Sequence, residues 1–321
     1  MGSLFSALGP RFTFWFFRKV LTTVSKRSSN AKGVQKNVKI IRQNVETAYA
    51  DASVDQQRAI IDAVVTAMPE AMAELMLQPY WRQHGEALTR HNLDAPWMQP
   101  YARNERQAIF VLGHFLGWEP NIMTLSRHLR HVHAAYAPPK NPLLEPFFAQ
   151  HRLATGATWT MLPRDLKGLQ ARLAKAFAGG SSLLYVLDAP LPGPMLPFMG
   201  LTSPTTLRPY QTAVDAGVPI IPLKMGRELG TLRFWIDAQE PLFATGKDQA
   251  AVIDLATRMN DHYSAWIRED PTQWYWTGQF FKPNRLWQRR ELARAKRRAA
   301  KQEPAAKQER AAKQTLDKRS S

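Results

Sequence analysis

The run "AIFVLGHFLGWEP", residues 108–120, carries an oily segment into His114 and places Glu119 five positions later, just before Pro120. These two residue types together can move a proton. A neutral imidazole takes a proton from an attacking alcohol, and a carboxylate bonded to its other nitrogen fixes the tautomer and stabilises the imidazolium that forms. On one continuous helix, side chains five residues apart point in different directions. The pair therefore requires "HFLGW" to turn, which Gly113 and Gly117 ease. No serine or cysteine sits in a comparable local arrangement, so the chemistry that fits best is direct transfer to an incoming hydroxyl.

Taken alone, the spacing is a weak motif with a plain structural alternative. Glu119 also suits the N-terminal turn of a helix beginning at Pro120, and His114 suits a partly buried polar group bonded to the backbone. Asp188 closes the buried-type strand "SLLYVLDA", a position from which a carboxylate orients a loop or substrate, or merely caps.

The elements around these residues alternate. Residues 35–95 read as helical, with a break expected at Pro69. A β-like run at 107–113 precedes a helix starting near Pro120; "HVHAAYAPP" is β-like and "NPLLEPFFAQHRLATG" helical. "DLKGLQARLAKAFAGG" is a helix ended by Gly179-Gly180. The Pro/Gly-rich "PLPGPMLPFMGLTSPTT" reads as a loop, followed by helix-like "YQTAVDAG", strands "VPIIPLKM" and "TLRFWIDAQ", and a long amphipathic helix, "DQAAVIDLATRMNDHYSAWIRED". This order predicts an α/β fold, a mostly parallel central sheet covered by helices, with polar residues gathered at the strand ends where such sheets bind ligands.

Charge divides the chain further. Of 43 Lys/Arg and 26 Asp/Glu, residues 1–42 hold nine basic and no acidic groups, and residues 282–321 hold fourteen against four, so the 239 residues between are nearly neutral. Basic ends suit an acidic surface: an anionic leaflet, a nucleic acid or an acidic carrier protein. No run of 18 uncharged apolar residues is present. Near the start, Phe12, Phe14, Trp15, Phe16 and Phe17 mingle with Arg11, Arg18 and Lys19. That mixture describes a helix lying at a bilayer surface, with a tilted insertion or packing on the protein's own core as alternatives. The expected division is a basic aromatic membrane-associating segment over 1–34, a catalytic domain over 35–287 and a basic, unstructured tail over 288–321, whose composition offers no face to bury. The absence of cysteine removes disulfides, thiolate metal sites and cysteine nucleophiles.

In this setting His114-Phe115-Leu116-Gly117-Trp118-Glu119 resembles the histidine, four residues, acid signature of glycerolipid-type acyltransferases, in the form used by the bacterial lipid A biosynthesis (lauroyl/myristoyl) acyltransferase family. Further blocks stand in the family's order over roughly 40–285: "YAPPKNPLL", "GGSSLLYVLDAP", "PFMG", "AVDAGVPIIPLKMGR", "EDPTQWYW" and "FFKP". The resemblance implies a glycerolipid-acyltransferase-like fold and an O-acyltransferase in which His114 is the base and Glu119 its partner. The implied donor is an acyl carrier protein thioester and the implied acceptor a lipid hydroxyl, at the cytoplasmic face of the inner membrane. Neither a cofactor, a metal nor a covalent enzyme intermediate is required.

Substrate-side positions follow from the same resemblance. Lys140 and Asn141 in "PPKNP" stand in the family's substrate-side loop, where a cation pairs with a phosphate or an oxyanion; the alternative is a solvated lysine beside a turn. Arg164 stands where the family tends to keep a basic group, with an exposed helix-start arginine as the alternative; Lys282, read from its own surroundings, follows an aromatic cluster and either touches a headgroup or merely begins the basic arm. Phe147, Phe148, Trp235 and Trp276 read as core rather than acyl pocket. The chain departs from the family near Ala137, where members commonly carry an arginine, at Asp188-Ala189, where they commonly carry an Asp-Gln pair, and at Gly278-Gln279-Phe280, where they commonly carry a His-Arg-Arg triplet. These departures bear on the acceptor more than on acyl transfer. Two rivals stand beside the leading reading: an acyltransferase for another lipid, and a non-catalytic binder of membrane or nucleic acid. Nucleic acid is not expected, because the middle of the chain lacks basic clustering and any known reading module.

Overall fold

The computed structural model describes residues 9–27, 32–138, 145–146, 152–163 and 166–281. Seven strands form one sheet in the order β1-β9-β8-β2-β5-β3-β4, where β1 is Thr89–His91, β2 Ile109–Leu112, β3 Val132–Tyr136, β4 Thr160–Pro163, β5 Ser182–Val186, β8 Ile220–Arg227 and β9 Phe234–Ala238. Strands β8, β2, β5, β3 and β4 run parallel; β9 is antiparallel to β8, and β1 follows β9. The expected α/β architecture is thus the observed one. Every residue of β2 is buried, as a central parallel strand covered on both faces demands.

The helices are α1 Pro10–Arg27, α2 Lys32–Ala48, α3 Val54–Met76, α4 Gln78–Leu88, α5 Gln99–Ala102, α6 Trp118–His128, α7 Leu169–Ala178, α8 Arg208–Ala216 and α9 Gln249–Glu269. A capping box between Ser53 and Gln56 starts α3, which then runs through Pro69 without the expected break. Proline removes one backbone donor there, but Ala67, Glu70, Ala71, Ala73 and Glu74 around it are buried, and packing holds the helix. The helix ends instead at Leu77. A second difference is β1, which interrupts the stretch expected to be helical because Thr89, Arg90 and His91 pair with β9 at the sheet edge.

The Pro/Gly-rich stretch after Asp188 is not all loop. Met195–Phe198 (β6) and Leu201–Pro204 (β7) form an antiparallel ribbon, turned by Met199 and Gly200 with φ of 55° and 79°. Its prolines hide it in the sequence, yet a two-stranded ribbon has free edges on which proline costs no ladder bond. Ser264 and Asn260 of α9 fix the ribbon by accepting from Met199 N at 2.8 Å and donating to Pro197 O at 2.9 Å. Residues 152–156, expected to close a helix, are bends and turns, while 145–146 are helical; the other residues of that stretch, with Lys140, Asn141, Arg164, Lys282 and the tail 288–321, lie outside the described residues.

Helix α1 packs on α3 through Phe14, which is buried, while Phe12, Trp15, Phe16 and Val20 are exposed. The reading that this helix packs on the protein's own core therefore holds for the Phe14 face, while another face presents aromatic rings outward. Among the described residues no helix is long and apolar enough to cross a membrane.

Candidate active site

Strands β2 and β5 are parallel neighbours, with Leu112 opposite Val186. Two residues beyond that pair the chain reaches His114 on one strand and Asp188 on the other. The register therefore sets them side by side at the C-terminal edge of the sheet. His114 Nδ1 lies 2.7 Å from Asp188 Oδ1, and Asp188 Oδ2 accepts from His114 N at 2.7 Å and from Trp274 Nε1 at 2.7 Å. The Asp188 side chain is 1% exposed and that of His114 is 36% exposed, so the ring is gripped at Nδ1 from within while part of it meets solvent. Burial opposes the charged imidazole, but the charge and hydrogen bond of Asp188, with the charge of Glu119, outweigh it and raise the His114 pKa above its usual range.

Beyond His114 the chain turns as the motif requires. Phe115 N bonds Gly113 O at 2.9 Å, and Gly117 adopts φ 78° as the residue before α6. A side chain at Gly117 would meet Phe234 Cδ1 at 2.8 Å and the carbonyl oxygen of Gly226 at 3.0 Å, so both space and backbone conformation call for glycine. The segment after α9 clamps the turn from the other side. Leu116 N donates to Gln273 O at 2.6 Å and Tyr275 N to His114 O at 3.0 Å.

Glu119 occupies the first turn of α6, as expected, but its partner is not His114. Its carboxylate faces Arg152, with Nη2 3.2 Å from Oε1 and Nε 3.3 Å from Oε2, and Gln78 Nε2 donates at 3.3 Å. Among the described residues no hydrogen bond joins Glu119 to His114. The bond expected of Glu119 is made by Asp188, because strand register brings Asp188 onto Nδ1 while the turn at Gly117 carries Glu119 back toward Arg152. Burial raises the Glu119 pKa, against the lowering effects of Arg152 and then His114. Arg152 also stacks over the Tyr136 ring at 4.7 Å.

A second buried ion cluster lies under the turn, and sequence reading missed it. Arg227, the last residue of β8, sets Nη1 2.6 Å from Glu74 Oε1 and Nε 3.2 Å from Glu70 Oε2. Glu74 Oε2 accepts from Gly117 N at 3.0 Å, tying the cluster to the turn. Phe14 of α1 covers the guanidinium at 4.6 Å from ring to Cζ. Burial pushes the Glu74 carboxyl up to about 7, with Arg227 opposing. The available signal was Glu70 and Glu74, four apart in the otherwise apolar "MPEAMAELM", where two acids on one helix face ask for a cation.

The paired His114–Asp188, at the end of a parallel strand and oriented from the protein side, is an arrangement chemically suited to proton transfer. A model of the bacterial lipid A biosynthesis acyltransferases matches residues 11–283. The chain belongs to that family. No curated protein matches it. As a lipid A biosynthesis acyltransferase family member it is an acyl-transferring enzyme, and the matched span takes in α1 as well as the sheet. The run that resembles the family's signature spans the turn from His114 to Glu119.

Proposed function

We propose that this acyltransferase moves a fatty acyl group from an acyl carrier protein thioester to a hydroxyl of a lipid acceptor, a lipid A precursor or related glycolipid, with His114 as general base. The observation that carries the reading is the 2.7 Å contact between Asp188 Oδ1 and His114 Nδ1. With Nδ1–H donated to Asp188, Nε2 is the nitrogen left to accept a proton. As Nε2 takes the hydroxyl proton, the oxygen attacks the thioester carbonyl. Collapse of the tetrahedral intermediate breaks the C–S bond, and the imidazolium returns its proton to the carrier thiolate, leaving an ester and a free thiol. Asp188 stabilises the imidazolium through a charge-assisted bond, and the charge of Glu119 supports it from a distance. Glu119 is on this reading a positioning residue that holds Arg152 and α6.

The site is proposed to work at the cytoplasmic face of the inner membrane. Phe12, Trp15 and Phe16 are exposed beside Arg11 on α1, an arrangement that favours an anionic interface and approach of an acidic carrier. His114→Ala in the purified enzyme, assayed with an acyl carrier protein donor and a lipid A precursor, should lose transfer by on the order of 100- to 10,000-fold while its circular dichroism is unchanged. Near-normal turnover would overturn the mechanism. Lipid profiling of a strain lacking the gene identifies the acceptor by the acylated product that disappears.

A further inference from the structure

Away from the acyl-transfer site, at the far end of α6, three metal-ligating side chains converge. Glu86 comes from the last turn of α4, His91 is the last residue of β1 and His128 the last residue of α6. One ligand atom from each lies within 4.8 Å of the other two. His91 Nε2 is 3.1 Å and His128 Nε2 2.8 Å from the same oxygen, Glu86 Oε1, and the two imidazole rings meet edge to face at 4.4 Å between centroids. Nine residues of helix separate His128 from Glu119, a rise of about 14 Å, so this cluster takes no part in the proton transfer described above.

We propose that Glu86, His91 and His128 form a zinc site. Two imidazoles aimed at one carboxylate oxygen need a proton on both Nε2 atoms to be hydrogen-bonded. A single cation at the point of convergence replaces both protons and uses the lone pairs of all three ligands. Ligand atoms about 3.3 Å apart are what a tetrahedral ion with bonds of about 2.0–2.1 Å requires; the 3.1 Å spacing is near this, and the 2.8 Å spacing has to widen by about 0.5 Å, which a side-chain rotation supplies. The hydrogen bonding around the cluster is lopsided in the same sense. Glu86 Oε2 and His91 Nδ1 are both buried and have no hydrogen-bond partner among the described residues, and the nearest cation, Arg127 Nε, stands 4.0 Å from Oε2 rather than at Oε1. Two nitrogens and one oxygen suit Zn²⁺ over Mg²⁺ or Ca²⁺, which seek oxygen ligands. His91 is 13% exposed, whereas His128 and Glu86 are 26% and 42% exposed, so the fourth position faces solvent and takes water. The negative end of the α6 dipole also favours a cation beside His128. Such an ion pins the edge strand β1 and helix α4 to the far end of α6, the helix that carries Glu119 in its first turn.

The test uses the full, untagged chain stripped of metal with a chelator and titrated with zinc against a chromophoric competitor. The expected result is one tight equivalent per chain. That equivalent disappears in Glu86→Gln, His91→Gln and His128→Gln but persists in His114→Ala. Glu86→Gln keeps the side chain's size at a half-exposed position, and circular dichroism confirms that each variant is folded. Absence of the tight equivalent from the parent chain, or its survival in the folded Glu86→Gln and His128→Gln variants, would overturn the assignment.

Discussion

Asp188→Asn is a sharper probe of the site than removal of the base, because the structure dictates how the new amide must sit. The position of Oδ2 receives two donors, His114 N and Trp274 Nε1, each at 2.7 Å. Only the amide oxygen can accept both. The amide nitrogen is thereby forced to the position of Oδ1, where it faces His114 Nδ1 at 2.7 Å. Two N–H groups cannot face each other, so the imidazole must present a lone pair at Nδ1 and carry its proton on Nε2, the nitrogen proposed to act as base. The variant thus keeps shape and packing while placing the histidine in the wrong tautomer. A general base is worth on the order of 100- to 10,000-fold, equivalent to about 3–5 kcal/mol of barrier, and the loss should appear in kcat more than in KM. Loss of the carboxylate also removes the main influence that raises the His114 pKa. The rising limb of the pH–rate profile, expected above the usual histidine range in the parent because the His114 pKa is raised, should move to lower pH in whatever activity remains. The assay is acyl transfer from a carrier thioester, followed by thiol release across pH. A folded Asp188→Asn enzyme within tenfold of the parent, with its pH limb unmoved, would refute the argument from register to tautomer to base.

Two further outcomes follow from the buried cluster and from α1. Because the folded Glu74 pKa stands near 7 against an ordinary value of 4.5, the folded chain holds a proton that the unfolded chain releases between those values. This group's contribution to stability therefore falls as pH rises from about 4.5 to about 7, and the urea-measured stability of the parent relative to Glu74→Gln should decline across that window. The exposed ring face of α1 predicts that Phe12→Ser, Trp15→Ser and Phe16→Ser together weaken vesicle flotation even at high salt, where lysine and arginine contacts are screened. Point changes are the better tool than deletion of the segment, since removing Phe14 would also uncover Arg227.

How much of this is legible in sequence depends on the distance over which each contact is made. The α/β order, the strand ending before His114 and the helix carrying Glu119 are local, written in periodicity and in the placement of glycine and proline. His114 and Asp188 could each be singled out as polar residues at strand ends. That they touch depends on β2 and β5 being neighbours in register, which is a property of topology. The same limit hid the partner of Glu119, since Arg152 lies within a stretch whose own composition reads as helix. Glu70 and Glu74 were visible as misplaced acids in an oily helix, but their cation lies about 150 residues on, at the end of another strand. Trp276 reads as core and is fully buried, whereas nothing in its neighbour Trp274 announces that its indole would hold the aspartate.

The clamp made by residues 273–276 also governs when the enzyme can exist as one. Asp188 takes a bond from Trp274, the His114 carbonyl takes one from Tyr275, and Asn44 of α2 donates to the carbonyl of Trp276 at 2.6 Å. Early, middle and late parts of the chain therefore meet within a few residues of the base. During synthesis, the histidine and its aspartate leave the ribosome well before the tryptophan that orients them. The sheet can gather around β2 and β5 in that interval, while His114 and Asp188 still lack the bonds that Tyr275 and Trp274 supply. On the proposed mechanism the pair is complete only when the segment beyond α9 docks, so an element made late finishes one made much earlier.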